Sequence, residues 1–367
     1  MVPLRVKEVR MATMHDVARR ARVSVSTVSY VLTGTRPISE ATRTRVLEAM
    51  AELGYQPNAM ARGLASRRSR IVGLLMPMDE RGLGATETAF VTGAAAAASA
   101  AGYHLVLSPV GAADPDVVRR LATQGMFDGV VLMEVQVDDG RVAALQEAGL
   151  PLVLIGRTGD TTGLSYVDID FEQTVHEAVD HLVGLGHRRI VYVNHSASAI
   201  AAGYGPAVRT RDAFVAAMAR HRLEPVMIAS EDSAAGGRAA LSAAVAQVPD
   251  LTAVLAMNES AIFGILGELA VRGRAVPGDV SVVSMVTSPQ VAELVHPALT
   301  ALTSPGAALG RIAMEALLRQ LEGAAGQNHQ QLLPCVLEIR GSTGPAAPPV
   351  GGAGGGAEPA GADPPDR

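Results

Sequence analysis

The sequence predicts an α/β protein, with an all-α N-terminal unit followed by two doubly wound lobes. Three observations carry this. Residues 13–54 hold three short helical patterns, each opened by a Ser or Thr, and glycines stand at the ends of the second and third. From Ile71 onward, short apolar runs alternate with longer amphipathic stretches. That alternation runs through twice in succession, which implies two parallel sheets.

Each helical pattern has its own start and stop. Thr13-Met14-His15-Asp16 reads as a capping box opening a helix to Ala21, with Val17, Ala18 and Ala21 on one face. Arg22-Val23 makes a short turn. Ser24 then caps a second helix, Val25 to Thr33, with Val28, Val31 and Leu32 inward and Gly34 at its end. Ser39 caps a third helix running through Leu53 and ended by Gly54. Two short helices joined by a tight turn, with a third packed on them, make a helix-turn-helix unit.

The outward residues of the second helix are Val25, Ser26, Ser29 and Tyr30. Small or hydroxylated groups suit close approach to base edges and phosphates, whereas a merely solvated helix would carry Glu and Lys. A three-helix protein-interaction module is the alternative reading. Beyond it, Pro57 blocks continuation of the third helix, and Asn58 caps a short helix toward Ser66. Gly63 weakens that helix, so it is expected to fold only with its partner present.

Charge divides along the chain. Residues 1–70 carry thirteen Lys or Arg against five acids, a balance of +8, so a total of −5 leaves −13 for the remainder. This asymmetry fits a polyanion-binding module on an acidic body, although a solvated basic face has the same charge.

The body holds candidate strands at Ile71–Met76, Tyr103–Leu107, Gly129–Met133 and Leu152–Ile155. A second series lies at Ile190–Val193, Val226–Ala229, Ala253–Ala256 and Val280–Val283, with helices between. Ligands of such sheets sit at the carboxyl ends of the strands, here in an interlobe cleft. Asp168 and Asp170 alternate on one face of a strand, a pattern that fits acid-base or metal chemistry and equally a solvent-facing interlobe strand, and Cys335 reads as a buried thiol in an apolar strand, Leu332–Ile339.

The 367 residues are 48% apolar and 18% charged, which allows two or three folded units and excludes disorder throughout. No stretch approaches ~18 uninterrupted apolar residues, so no membrane partner is expected. The charged start lacks an apolar h-region, and a single cysteine excludes a disulfide scaffold. A cytoplasmic chain is expected, nucleoid-associated when bound to DNA. There is no phosphate-binding loop and no G-x-S-x-G elbow, and His176 and His181 are five apart rather than at metal-ligand spacing. Hence no catalytic residue, cofactor or metal is expected.

The stretches "TMHDVARRARVSVSTVSYVLTG", "ISEATRTRVLEAMAELGYQPNAMARGLASRRS" and "IVGLLMP" resemble the headpiece and hinge of the lac repressor/galactose repressor family of bacterial regulators. In the body, "LGHRRIVYV", "LTAVLAMNESAIFGIL" and "VPGDVSVVS" resemble that family's periplasmic-binding-protein type I core. The resemblance spans residues 13–341.

It implies a repressor, binding double-stranded, pseudo-palindromic operator DNA as a homodimer under control of a small-molecule effector. It places Val25, Ser26 and Tyr30 at base-reading positions, with His15 able to reach a base or the backbone. Ser24, Thr27, Ser29, Thr42 and Asn58 fall at phosphate positions. Ala61, Arg62 and Leu64 belong to a hinge helix in the minor groove, with Leu64 as the wedge; a core residue of a linker is the alternative for Leu64.

For the effector, the resemblance points to Met78, Arg157, Arg209, Arg211, Asn258 and Val286. Val286 stands where sugar-binding members carry an aspartate, and Arg209 and Arg211 flank Thr210, the expected arginine position. The alternatives are solvated arginines, strand packing for Val286 and a loop pin for Arg157. The implied organisation is an extension at 1–12, a headpiece at 13–57, a hinge at 58–69, two lobes at 70–341 and a disordered Gly/Ala/Pro tail at 342–367. Crossovers are expected near 167–170, 297–304 and 329–332. The absence of a C-terminal leucine heptad favours a dimer. A solute-binding protein or an α/β enzyme would share the core but not the headpiece.

Overall fold

The structure, a computed structural model, describes residues 12–33, 36–55, 68–78, 82–112, 114–257, 259–323 and 328–347. Residues 58–67 of the expected hinge, with Asn58, Ala61, Arg62 and Leu64, lie outside the described residues, as do Gly34 and Asn258.

The headpiece helices are α1 (Met14–Ala21), α2 (Val25–Thr33) and α3 (Glu40–Leu53). The capping box of α1 is complete: Thr13 Oγ1 accepts from the Asp16 N–H, and the Asp16 carboxylate accepts from the Thr13 N–H at 3.0 Å. Arg22 ends α1 in the left-handed region (φ 55°), which turns the chain sharply into α2. Ser39 departs from the expected cap: its side chain makes no bond to a helix N–H and donates instead to Thr42 Oγ1 at 2.9 Å. Val17, Ala18, Ala21, Val28, Val31, Val46 and Ala49 form the core of the three helices.

The body runs β1 (Ile71–Met76), α4 (Ala85–Ala100), β2 (His104–Pro109), α5 (Pro115–Thr123), β3 (Gly129–Leu132), α6 (Gly140–Glu147), β4 (Leu152–Ile155) and β5 (Ser165–Ile169). Then come α7 (Phe171–Gly184), β6 (Ile190–Asn194), α8 (Ala197–Ala201), α9 (Gly205–Arg220), β7 (Val226–Ala229), α10 (Ala234–Gln247) and β8 (Ala253–Ala256). The remainder is α11 (Glu259–Val271), β9 (Ser281–Thr287), α12 (Pro289–Glu293), β10 (Thr300–Thr303), α13 (Gly306–Leu321), β11 (Gln330–Leu333) and β12 (Val336–Glu338).

Two compact units result: residues 1–82, 90–167 and 307–331, and residues 83–89, 168–306 and 332–367. The first sheet has the order β11-β5-β4-β3-β1-β2 and the second β12-β10-β9-β8-β6-β7. Both contain the same parallel arrangement, 2-1-3-4-5, so each has a topological switch point, at β1/β3 and at β6/β8. Strands β3, β4 and β8 are buried along their whole length, which is why they read as continuous apolar runs. In the second unit α10 and α11 pack backbone to backbone: a Cβ on Gly237 would overlap the Ala261 carbonyl, and one on Gly264 the Ala234 carbonyl.

Several expectations are corrected. The units divide at Val167/Asp168, Gly306/Ala307 and Gln331/Leu332. The middle division falls after 297–304, because residues 300–303 are the interior strand β10, paired with β9 and β12. Asp168 does not face solvent; it is buried in β5, and Asp170 lies past the strand as the N-cap of α7, accepting from the Gln173 N–H at 3.0 Å.

The single strand expected at Leu332–Ile339 is two strands in different sheets, broken at Pro334, with the Cys335 N–H donating to Thr174 Oγ1. The expected tail at 342–367 begins too early: residues 342–347 are structured. Ser342 is fully buried, its hydroxyl donates to the Val282 carbonyl at 2.5 Å and accepts from the Thr300 N–H at 2.8 Å. The Ala346 N–H reaches the Leu185 carbonyl at 2.9 Å. A composition of small residues does not disorder a segment whose backbone completes the hydrogen bonding of a sheet end.

Candidate functional site

The first candidate surface is the exposed side of α2 and its flanks. Ser24, Ser26 and His15 are exposed, while Val25, Thr27, Ser29 and Tyr30 are half-buried. Ser26 and Tyr30 stand one turn apart and share a helix face. Ser24 Oγ accepts from the Thr27 N–H at 3.1 Å and bonds Thr27 Oγ1 at 2.8 Å, so two expected phosphate positions also start the helix. N–H groups at such a start favour anions. Thr42 sits in the first turn of α3, its Oγ1 accepting from Ser39 Oγ and, at 3.3 Å, from Arg45 Nη2. Asn58, Ala61, Arg62 and Leu64 are not among the described residues.

The second candidate region is the carboxyl edge of each sheet. In the first unit, Met78 is exposed just past β1, and Arg157 is half-buried past β4. In the second, Thr210 is fully buried and accepts from Tyr192 Oη at 2.7 Å. Arg211 turns outward to Asp212, at 2.8 Å, and Arg209 is half-buried.

Val286 occupies the left-handed region (φ 53°), where a β-branched residue costs of order 1–3 kcal/mol. It is the extra residue of a register shift between β9 and β10, and its carbonyl accepts from Thr86 Oγ1 at 3.2 Å.

At the carboxyl edge of the second sheet the structure adds residues outside the expected effector set. His195 directly follows β6 and stands edge-on to Tyr204, with ring centroids 5.1 Å apart. Its Nε2 is buried and has no hydrogen-bond partner among the described residues. Burial pulls its pKa down to about 4, against the opposing field of Asp232, so the ring is neutral at pH 7. Glu259, at the start of α11, accepts from the Ser288 N–H at 2.9 Å. Burial raises its pKa; the Ser288 hydrogen bonds oppose this, and the charges of Glu87 and Asp232 add to the rise. Ser304, just past β10, also buries a hydroxyl with no hydrogen-bond partner among the described residues. Glu259 follows Asn258, where the family resemblance leads one to expect an aspartate; no residue-type pattern marks His195 or Ser304, which only their places after β6 and β10 would have found.

Among the described residues, no group of three His, Cys, Asp or Glu is placed to hold a metal, and no helix is long and apolar enough to cross a membrane. Burial drives the Cys335 thiol up to about 12, which makes it a poor nucleophile.

Residues 13–58 match "Bacterial regulatory proteins, lacI family", and residues 179–343 match "Periplasmic binding protein-like domain". The chain is 32% identical over 339 residues to the HTH-type transcriptional regulator CelR of Thermobifida fusca, covering 91% of this chain and 98% of that one. It is 29% identical over 338 residues to catabolite control protein A of Staphylococcus xylosus, covering 90% and 99%.

Among solved structures, a CelR–cellobiose complex aligns with a TM-score of 0.67 at 30% identity, covering 90% of this chain and 99% of that one. A lac repressor dimer bound to operator and the anti-inducer ONPF aligns with a TM-score of 0.80 at 25% identity, covering 91% and 99%. A helix-turn-helix headpiece joined to a two-sheet, periplasmic-binding-like body is that of a DNA-binding transcriptional regulator, not an enzyme. The chain belongs to the lacI family of bacterial regulatory proteins.

Proposed function

We propose that this regulator is a cytoplasmic repressor that binds a pseudo-palindromic operator as a homodimer. The observation that carries this is the uncharged, hydroxyl-bearing face of α2 within a headpiece whose surroundings are rich in arginine. Residues 13–57 act as the headpiece, 58–69 as the hinge and 70–347 as the ligand-sensing body. Val25, Ser26, Tyr30 and His15 read the major groove, Ser24, Thr27, Ser29, Thr42 and Asn58 hold phosphates, and Ala61, Arg62 and Leu64 enter the minor groove. The relative solved as an operator-bound dimer supports the assembly.

An effector binds at the carboxyl edges of the two sheets, with Met78 and Arg157 on one unit and Arg209, Arg211, Asn258 and Val286 on the other. The neutral His195, with its unsatisfied Nε2, adds a polar handle. The cellobiose-bound relative makes an oligosaccharide the first ligand to try. Such an effector changes DNA affinity only by its differential affinity for two states of the protein.

The deciding experiment is a genomic footprint of the full chain followed by gel-shift titration at several salt concentrations. Sequence-selective binding that weakens steeply with salt is expected. Binding with no sequence preference overturns the reading. Light scattering should give the mass of two chains, and Leu64→Ala should weaken operator binding by ~1–3 kcal/mol.

A further inference from the structure

Helix α2 contains no charged residue along its nine positions. The groups it exposes, led by the hydroxyls of Ser26 and Tyr30, can bond several base edges and discriminate weakly among them. Strong discrimination of guanine calls for the planar fork of an arginine, which meets its O6 and N7 together. The reading helix supplies none.

Arg36 supplies one from outside the helix. Three residues past the end of α2, its guanidinium carbon lies 5.3 Å from the centroid of the Tyr30 ring. The side chain is exposed, and among the described residues it pairs with no carboxylate. Two neighbouring headpiece arginines are engaged elsewhere: Arg19 with Asp16 at 3.8 Å and Arg20 with Glu52 at 2.6 Å. A guanidinium lying on an aromatic face keeps its N–H edge free to donate while its plane is held. The stack restrains both side chains before DNA arrives, so less side-chain freedom is lost on binding.

We propose that Arg36, held on the ring of Tyr30, is a specificity-determining residue of the DNA interface and reads a guanine in each half-site. This rests on the assignment of α2 as the base-reading helix. It accounts for an exposed arginine stacked on the one aromatic residue of that helix.

The test selects binding sites from a random duplex library with the full-length chain and with Arg36→Ala, Arg36→Lys and Tyr30→Phe. The native protein is expected to demand a guanine at one position of each half-site; Tyr30→Phe, which loses the hydroxyl but keeps the ring, should keep that guanine demand while its affinity and its preference at the position Tyr30 reads change. Arg36→Ala should lose that demand, with discrimination at that position falling tenfold to a hundredfold while preferences elsewhere persist. Arg36→Lys, which keeps the charge but not the fork, should fall between. In a double-mutant cycle with Tyr30→Ala, the two losses should be non-additive.

Equal weakening on all sequences would make Arg36 a phosphate contact and overturn the proposal, as would an unchanged site preference. Thermal unfolding of Arg36→Ala checks that the headpiece is intact, as its exposed position predicts. Should the native chain select no site at all, the assignment of a specific regulator fails instead, so the two failures are distinguishable.

Discussion

Arg141 and Asp139 form a fully buried ion pair in which guanidinium Nε and Nη2 each meet one carboxylate oxygen, at 3.0 and 2.7 Å. The same guanidinium donates to the carbonyls of Val110 at 3.1 Å, Met133 at 3.3 Å and Glu134 at 2.8 Å. Those carbonyls lie just past β2 and β3, so one side chain fastens the carboxyl edge of the first sheet. Removing one partner leaves the other charge buried and unpaired. Arg141→Met is therefore expected to cost about 3–5 kcal/mol in urea unfolding. A cost below ~1 kcal/mol would mean the pair is solvated and contributes little.

Two glycines of neighbouring helices should respond in opposite directions to the same added methyl. At Gly237 a Cβ meets the Ala261 backbone, which cannot yield without moving α11, and a loss of ~1–3 kcal/mol or more is expected. At Gly267, inside α11, a Cβ meets nothing within 4 Å. Gly267→Ala should raise stability by ~0.5–1 kcal/mol, because alanine has less backbone freedom to lose on folding. Paired thermal melts decide it, and equal signs would refute the backbone-contact account.

The depressed pKa of His195 makes stability depend on pH. In the unfolded chain the imidazole takes its proton near its ordinary 6.5, and in the fold only near 4. Between those values the unfolded state binds more protons, so stability falls as pH drops through that window. At ~1.4 kcal/mol per tenfold change in proton affinity, the full loss is about 3 kcal/mol. His187, buried between Thr252 and Ser281, is shifted the same way by desolvation and adds to the slope. Chemical denaturation from pH 7.5 to 4 should show the loss, and His195→Asn should flatten it. An unchanged slope in that variant would acquit His195.

Ser342 gives a handle on the C-terminal segment. Its hydroxyl serves the Val282 carbonyl and the Thr300 N–H, both on interior strands of the second sheet. Ser342→Ala leaves these groups unsatisfied and should cost ~1–3 kcal/mol. A chain ending after residue 347 should unfold as the full chain does, whereas one ending at residue 341 should lose at least as much as Ser342→Ala. Equal stability of both truncations would show that residues 342–347 contribute nothing.

Much of the fold was legible because local chemistry and burial pattern agree. The capping box at Thr13, the turn at Arg22-Val23 and the apolar runs of β1, β4, β7 and β8 have local signatures, and the structure follows them. The strand broken at Pro334 was misread because two short apolar runs on either side of a proline look like one. The structured segment at residues 342–347 was misread because its order comes from Ser342 and Ala346 meeting strands far away in sequence. The site divides in the same way. The face of α2 follows from helical spacing, whereas only the strand order of the second sheet puts His195, Glu259 and Ser304 at one edge of it.

The sequence alone determined that an arginine-rich, three-helix headpiece precedes two strand–helix series, since caps, turns and periodicity act over a few residues. It also carried the family likeness. Only the tertiary structure decided which polar groups became unusual. Burial next to Tyr204 keeps His195 neutral, a register shift holds Val286 in a strained conformation, and the fold stacks Arg36 on Tyr30. Each depends on neighbours distant in sequence or on a side-chain rotation that no local pattern encodes.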